Sequence, residues 1–223
     1  MKIIYFVLSF FHMPHGKFLK ILEEIFPNFT CVACNGEINS SENKYFCDKC
    51  IERLPFCVEE NGIAFSPFEY EEPIRKMILS LKYNDNVFVG RAVAPFMAAV
   101  IIRRELVIDG LVPVPLHRSR FLERGYNQSE LLCDEVAPYL NLPVFKDVLL
   151  RIKKTKIHKN MTRKQHFEDI FNAFKVQDPR AVMGKVILIV DDVLSTGITT
   201  NECRRVLLKN GAKDVWILTA AKA

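Results

Sequence analysis

Several absences narrow this sequence before any motif is read. The apolar run Ile3 to Phe11, behind Lys2 and broken by Ser9, falls far short of the about twenty residues a bilayer span needs. His12-Met13-Pro14 after it lacks the small residues of a signal-peptide cleavage site, and Met13 offers an alternative start. The seven cysteines are odd in number and unevenly placed, which excludes a secreted disulfide framework. There is no internal repeat and no low-complexity tract. From Arg151 to Lys164 there is neither an acid nor an aromatic residue, while seven residues are Lys or Arg. These absences leave a cytoplasmic protein as the expectation, with weak peripheral membrane contact as the minor option.

What is present suffices for one ordinary domain and a small appendage: 223 residues, 49% of them hydrophobic, with a modest net charge of +5. The most informative stretch is Val186-Ile187-Leu188-Ile189-Val190-Asp191-Asp192, followed by Val193-Leu194-Ser195-Thr196-Gly197-Ile198-Thr199-Thr200. Five apolar, mostly branched residues predict a buried parallel strand with two carboxylates at its carboxyl end. Small hydroxyl-bearing residues at a strand-to-helix turn make an anion seat, because N–H groups and the helix N-terminus face the ligand. Carboxylates repel that anion and suit sugar hydroxyls or a metal ion. Ribose next to phosphate answers both requirements. Thr199 and Glu202 match a capping box for the following helix.

Cys31-x-x-Cys34 and Cys47-x-x-Cys50 are paired knuckles twelve residues apart. Each pair brings two thiolates to one ion, and two pairs complete a tetrahedron with no open position, so a structural Zn is expected. The Asn, Ser, Glu and Lys residues between the pairs build no core, and such a segment needs metal to fold. Cys57, Cys133 and Cys203 read as small buried hydrophobes.

The remaining pattern alternates helices and strands. Helices are expected at 16–26, at 73–105 with an interruption at Gly90 and Pro95, at 127–140 and at 200–209. Strands are expected at 111–115, 144–150, 186–190 and 215–220. That alternation predicts an α/β parallel sheet flanked by helices. Three divisions follow: 1–28 as an apolar segment and amphipathic helix, 29–60 as the four-cysteine zinc module, and 61–223 as the sheet domain. Val112 to His117 leads into Arg118, Arg120 and Arg124, and a strand ending among arginines suits a pyrophosphate. Arg151, Lys153, Lys154, Lys156, Lys159, Arg163 and Lys164 form an exposed basic loop suited to a nucleic-acid backbone.

The order from Val186 to Thr199 resembles the ribose-5-phosphate motif of the type I phosphoribosyltransferases. The resemblance implies that Asp191 and Asp192 hold the ribose hydroxyls. Ser195, Thr196, Gly197, Ile198 and Thr199 then hold the 5′-phosphate, and His117, Arg118, Arg120 and Arg124 the pyrophosphate. More of the chain, from about residue 18 to 222, resembles the ComF competence proteins. The segments that carry this are Leu22 to Pro27, Cys31 to Cys50, Leu81-Lys82-Tyr83, and Val114 to Gln128 with Arg124-Gly125-Tyr126-Asn127-Gln128. The family implies a phosphoribosyltransferase-like domain behind a zinc module. It also implies phosphoribosyl pyrophosphate with Mg as ligand, and single-stranded DNA and other competence proteins as partners during DNA uptake. The alternative is an active phosphoribosyltransferase of nucleotide metabolism, with Asp191, Asp192, Lys153 and Lys156 catalytic and loop chemistry of the orotate type. Ser195 stands where 6-oxopurine enzymes carry an Asp, so a 6-oxopurine acceptor is not expected.

Overall fold

The computed structural model describes residues 30–38, 44–57, 62–83, 86–155 and 162–223. The expected helix at 16–26, the apolar run at the start, Lys156 and Lys159 lie outside them. The chain divides into two compact units, one ending at Glu52 and the other beginning at Arg53.

In the first unit, Thr30 and Glu37 form an antiparallel bridge across a tight turn. Asn35 donates its N–H to the Cys31 carbonyl at 2.8 Å and takes a left-handed φ of 60°. The second knuckle opens a one-turn helix, α1 (Asp48–Ile51), with Cys47 at its N-cap.

The second unit carries the sheet. Its elements are β1 (Ala64–Phe65), β2 (Phe68–Glu69), α2 (Ile74–Tyr83), α3 (Val87–Ile102), β3 (Gly110–Pro113), α4 (Arg118–Arg124) and α5 (Gln128–Leu140). There follow β4 (Leu149–Arg151), α6 (Arg163–Ile170), β5 (Phe174–Val176), β6 (Val186–Leu194), α7 (Ile198–Lys209) and β7 (Asp214–Lys222). All main-sheet pairings are parallel: β3 beside β6, β6 beside β7, and β7 beside the short strands β1 and β2. Ile187, Leu188, Ile189 and Val190 have no exposed surface, which is why this run reads as apolar without alternation. Ile187 and Ile189 join Val215, Ile217 and the α7 residues Cys203, Val206 and Leu207 in one buried cluster. By the two-residue period, Leu188 and Val190 face the opposite layer. β4 and β5 form a separate antiparallel hairpin. The expected α/β parallel sheet flanked by helices is therefore present.

Several local expectations need correction. Gly90 and Pro95 do not interrupt a helix; both lie inside α3, whose buried face overrides their poor propensity. A Cβ at Gly90 would meet Leu131 Cδ2 at 2.2 Å, so a side chain there would displace the Leu131 methyl that α5 packs against α3. Residues 144–150 are not one strand: Val144 makes a single bridge to Leu111, and β4 begins only at Leu149. The capping box at Thr199 is absent. Gly197, at φ 71°, is the N-cap of α7, and Glu202 instead binds Arg205 and the Asn172 N–H. A capping box does occur at the start of α6, between Thr162 and Gln165.

Candidate functional site

The acidic pair sits inside β6, which runs four residues further than the apolar stretch suggests before ending at Leu194. Asp192 is only 5% exposed. Its Oδ2 accepts from Lys82 Nζ at 2.9 Å and from Gln128 Nε2 at 3.2 Å. Asp191 Oδ1 accepts from Ser129 Oγ at 2.8 Å and from the Asp192 N–H at 2.9 Å. Burial, then the Asp192 carboxylate, raises the Asp191 carboxyl to about 7, against the pull of Ser129, the Asp192 N–H and Lys82. Burial opposes the Lys82 charge as well, yet Asp192 outweighs it and the ammonium pKa is raised.

Two of these donors, Lys82 and Gln128, belong to sequence segments to which no chemical task was assigned. Gly125, left-handed at φ 82°, terminates α4 and reverses the chain. Tyr126 Oη donates to the Leu81 carbonyl, which fixes the end of α2 that carries Lys82. Asn127 caps α5 by accepting the Ser129 N–H at 3.1 Å, while its Nδ2 donates to the Val114 carbonyl at 3.0 Å. Gln128 and Ser129, in the first turn of α5, are thereby aimed at the two carboxylates. Arg124-Gly125-Tyr126-Asn127-Gln128 and Leu81-Lys82-Tyr83 thus form one bracket around the acidic pair. Gln128 Oε1 is buried and has no hydrogen-bond partner among the described residues. Its orientation is set, because only the amide nitrogen can donate to Asp192.

Beside the pair, Asp191 and the residues from Val193 to Thr200 line a recess of about 40 Å³, with Ser195 and Thr196 exposed. Thr196 Oγ1 accepts the Ile198 N–H at 3.5 Å, and Thr200 Oγ1 donates to the Gly197 carbonyl at 3.2 Å. A Cβ at Gly197 would stand 2.9 Å from Asn201 Nδ2, so glycine serves both the left-handed turn and the close approach of Asn201. The loop is thus brought beside the carboxylates at the carboxyl end of the sheet, where ligands of open α/β sheets bind.

In the first unit, the four thiols of Cys31, Cys34, Cys47 and Cys50 lie within 4.8 Å of one another. Cys34 and Cys47 sulfurs are 3.8 Å apart, and a tetrahedron with bonds of about 2.3 Å to zinc has edges of about 3.8 Å. The Gly36 N–H donates to Cys34 Sγ at 3.4 Å. Burial works to raise the Cys31 thiol, but N–H groups of Cys47, Cys34 and Ala33 leave it lowered, to about 7. Burial and the neighbouring sulfurs push Cys50 up. This donor set fits a metal such as zinc. Cys133 and Cys203 are fully buried, as small hydrophobes are, whereas Cys57 is only partly so.

No family model matches the chain. Among curated proteins it is 25% identical to competence protein F of Haemophilus influenzae over 89% of this chain and 99% of that one. It is 29% identical to DNA utilization protein YhgH of Escherichia coli over 77% of this chain and 76% of that one. It is 26% identical to competence protein ComFC of Streptococcus pneumoniae over 75% and 72%. The chain is a homologue of proteins named competence protein F, ComFC and YhgH. Among solved structures, the glutamine phosphoribosylpyrophosphate amidotransferase of B. subtilis shares 19% identity. That match covers 57% of this chain and a quarter (25%) of the other, at a TM-score of 0.38, too loose to add to what the sheet itself shows.

The basic residues are divided among several elements. His117 caps α4 through its Nδ1, which accepts the Ser119 N–H at 3.2 Å; Arg118 is exposed, and Arg120 and Arg124 are partly buried. Burial lowers the Arg151 guanidinium pKa, with Arg120 adding to that effect and Cys203 and Asp191 opposing it. Arg120 and Asp191 therefore each lie within electrostatic reach of Arg151. Arg151 also stacks over Phe174 at 5.3 Å. Lys153 donates to the Phe171 carbonyl at 2.7 Å. Lys154, Arg163 and Lys164 are exposed. Arg163 and Lys164 belong to the first turn of α6 and not to a loop. Among the described residues, no helix is long and apolar enough to cross a membrane.

Proposed function

We propose that this chain binds phosphoribosyl pyrophosphate at the strand-end site and acts on single-stranded DNA in competence or DNA utilization, the roles named for its homologues. The observation that carries the ligand is the pairing of two carboxylates with a hydroxyl-lined recess at the carboxyl end of one buried strand. Asp191 and Asp192 accept the ribose hydroxyls, Ser195 to Thr199 hold the 5′-phosphate, and Arg120 with Arg151 faces the pyrophosphate. Lys82 already supplies a cation to Asp192. Magnesium therefore enters on the oxygens of the pyrophosphate, as part of the ligand. Zinc in the four-cysteine cluster is structural, since all four ligands are protein thiols.

Transfer to a base is not part of this reading. Lys153 is committed to the Phe171 carbonyl. Calorimetry of the full chain with magnesium and phosphoribosyl pyrophosphate tests the reading. Binding should weaken about tenfold to a hundredfold in Asp191→Asn or Asp192→Asn, the cost of one charged hydrogen bond. No heat at millimolar ligand overturns it.

A further inference from the structure

We infer that the strand-end site also grips the 3′ terminus of single-stranded DNA: the free 3′-hydroxyl on the acidic pair, the 5′-phosphodiester of that last nucleotide in the 195–199 loop, and the penultimate nucleotide in a cleft between α6 and α7. The inference rests on the ribose-phosphate reading and extends it from a small ligand to a polymer.

The cleft measures about 580 Å³, within the size range of small-molecule sites. Arg163, Lys164 and Phe167 of α6 form one wall, Thr196 and Ile198 of the phosphate loop the floor, and α7 with Arg205 the other wall. Cleft and recess share Thr196 and Ile198, but the cleft touches neither Asp191 nor Asp192. A base held there is separated by the phosphate loop from the anomeric carbon of a sugar on the acidic pair. The cleft is therefore no acceptor-base pocket. It suits the next nucleotide of a chain whose phosphate occupies the loop.

Its chemistry matches. Phe167 is 52% exposed and stacks on Phe171 at 5.7 Å, offering a face to a base. Arg205 lies over Phe171 at 4.8 Å and is held by both Glu202 oxygens at 2.7 Å, so the platform is ordered before a ligand arrives. Three cations face one carboxylate, and that carboxylate, Glu202, is already taken by Arg205 and the Asn172 N–H. The excess positive charge suits a phosphate backbone.

The acidic pair selects the end. Ionised carboxylates only accept hydrogen bonds, so a sugar hydroxyl can donate to them and a 3′-phosphate cannot. An internal nucleotide is refused on that ground. The buried Gln128 Oε1 beside Asp192 is a further acceptor in want of a donor.

Fluorescence polarisation of the full chain at fixed low salt tests this with a 5′-labelled oligothymidine ending in a 3′-hydroxyl or a 3′-phosphate, and with circular single-stranded DNA as competitor. The 3′-hydroxyl end should bind about tenfold tighter than the 3′-phosphate end, and phosphoribosyl pyrophosphate should abolish the difference. Circular DNA should compete no better than the 3′-phosphate strand. Phe167→Ala should weaken the 3′-hydroxyl strand while leaving the heat with ribose 5-phosphate unchanged. Equal affinity for the two ends, or indifference to Phe167→Ala, overturns the inference alone when phosphoribosyl pyrophosphate still gives heat. An end preference without that heat overturns the small-ligand reading and leaves the end grip standing. Neither heat nor preference overturns both.

Discussion

The two units order their polar groups by opposite means. In the first, the described residues include only Cys31, Ala33 and Phe46 as buried hydrophobics, and four thiols converge to within 4.8 Å. Among the described residues that is a small core, and the four thiols form a donor set that fits a metal such as zinc. In the second, a fully buried apolar strand carries two adjacent carboxylates, and Lys82, Gln128 and Ser129 from helices α2 and α5 hold them in place. There the scaffold is built first, and it bears the cost of placing the acids side by side. The first unit gathers a donor set that fits a metal such as zinc, whereas the second fixes its acids with side chains of its own.

Removing metal ligation from the first unit should give the largest effect. Cys47→Ser leaves three thiolates, and structural zinc in modules of this size contributes on the order of 10–16 kcal/mol. Native mass spectrometry should find one metal per wild-type chain and none in the variant, whose first unit should lose its protease resistance. The calorimetric heat with phosphoribosyl pyrophosphate should persist. A variant that keeps its metal, or a wild type that carries none, would break the contrast.

The second unit should respond to loss of its bracket. Lys82→Met leaves Asp192 buried beside Asp191 without its cation, and removing one partner of a buried pair costs about 3–5 kcal/mol. Chemical denaturation should register a loss of that order. Lys82→Met with Asp192→Asn should recover most of it, because the neutral amide needs no counterion. If the single variant is as stable as wild type, the ammonium is an ornament and the acids are held by Gln128 and Ser129 alone.

The legible parts of this site were those where chemistry and chain order coincide. Val186 to Thr199 presents strand, acids, loop and helix consecutively, so the recess and the carboxylates could be named from the sequence. The Cys-x-x-Cys pairs were legible for the same reason. The bracket was not, because Lys82 and Gln128 stand 110 and 64 residues from Asp192 in the chain, and only the fold of α2 and α5 brings them together. Gly90 was misjudged because a glycine that permits close helix packing looks, in sequence, like one that ends a helix. Thr199 with Glu202 and Thr162 with Gln165 both match the capping pattern; Glu202 is claimed by Arg205 one turn along α7 and by the N–H of Asn172 from outside it, and only the second box formed.

A smaller effect should come from the exposed cations. If about four to six phosphates are neutralised, log affinity for single-stranded DNA falls against log salt with a slope of roughly −3 to −4. Lys154→Ala, Arg163→Ala and Lys164→Ala together should flatten that slope by about 2 and leave the melting temperature unchanged, since all three side chains are exposed. A salt-independent interaction would remove the backbone contacts from the account.

A further effect is a pH dependence with opposite signs for folding and for binding. Asp191 is raised to about 7 by burial and by Asp192, whereas in the unfolded chain it titrates near its ordinary value of 3.8. The folded state therefore holds the extra proton between about pH 4 and 7. The stability this contributes is fully present below the unfolded value and is lost as pH rises through 7. Hydroxyl binding needs the ionised carboxylate, so ligand affinity should climb over the upper part of the same window, by at most about tenfold per pH unit for one proton. Asp191→Asn should flatten both curves. Denaturation and calorimetry between pH 5 and 8 (about two units below and one above the shifted value) measure the two directions separately. Parallel curves in wild type and Asp191→Asn would show that the pair titrates through another group and that burial does not set its charge.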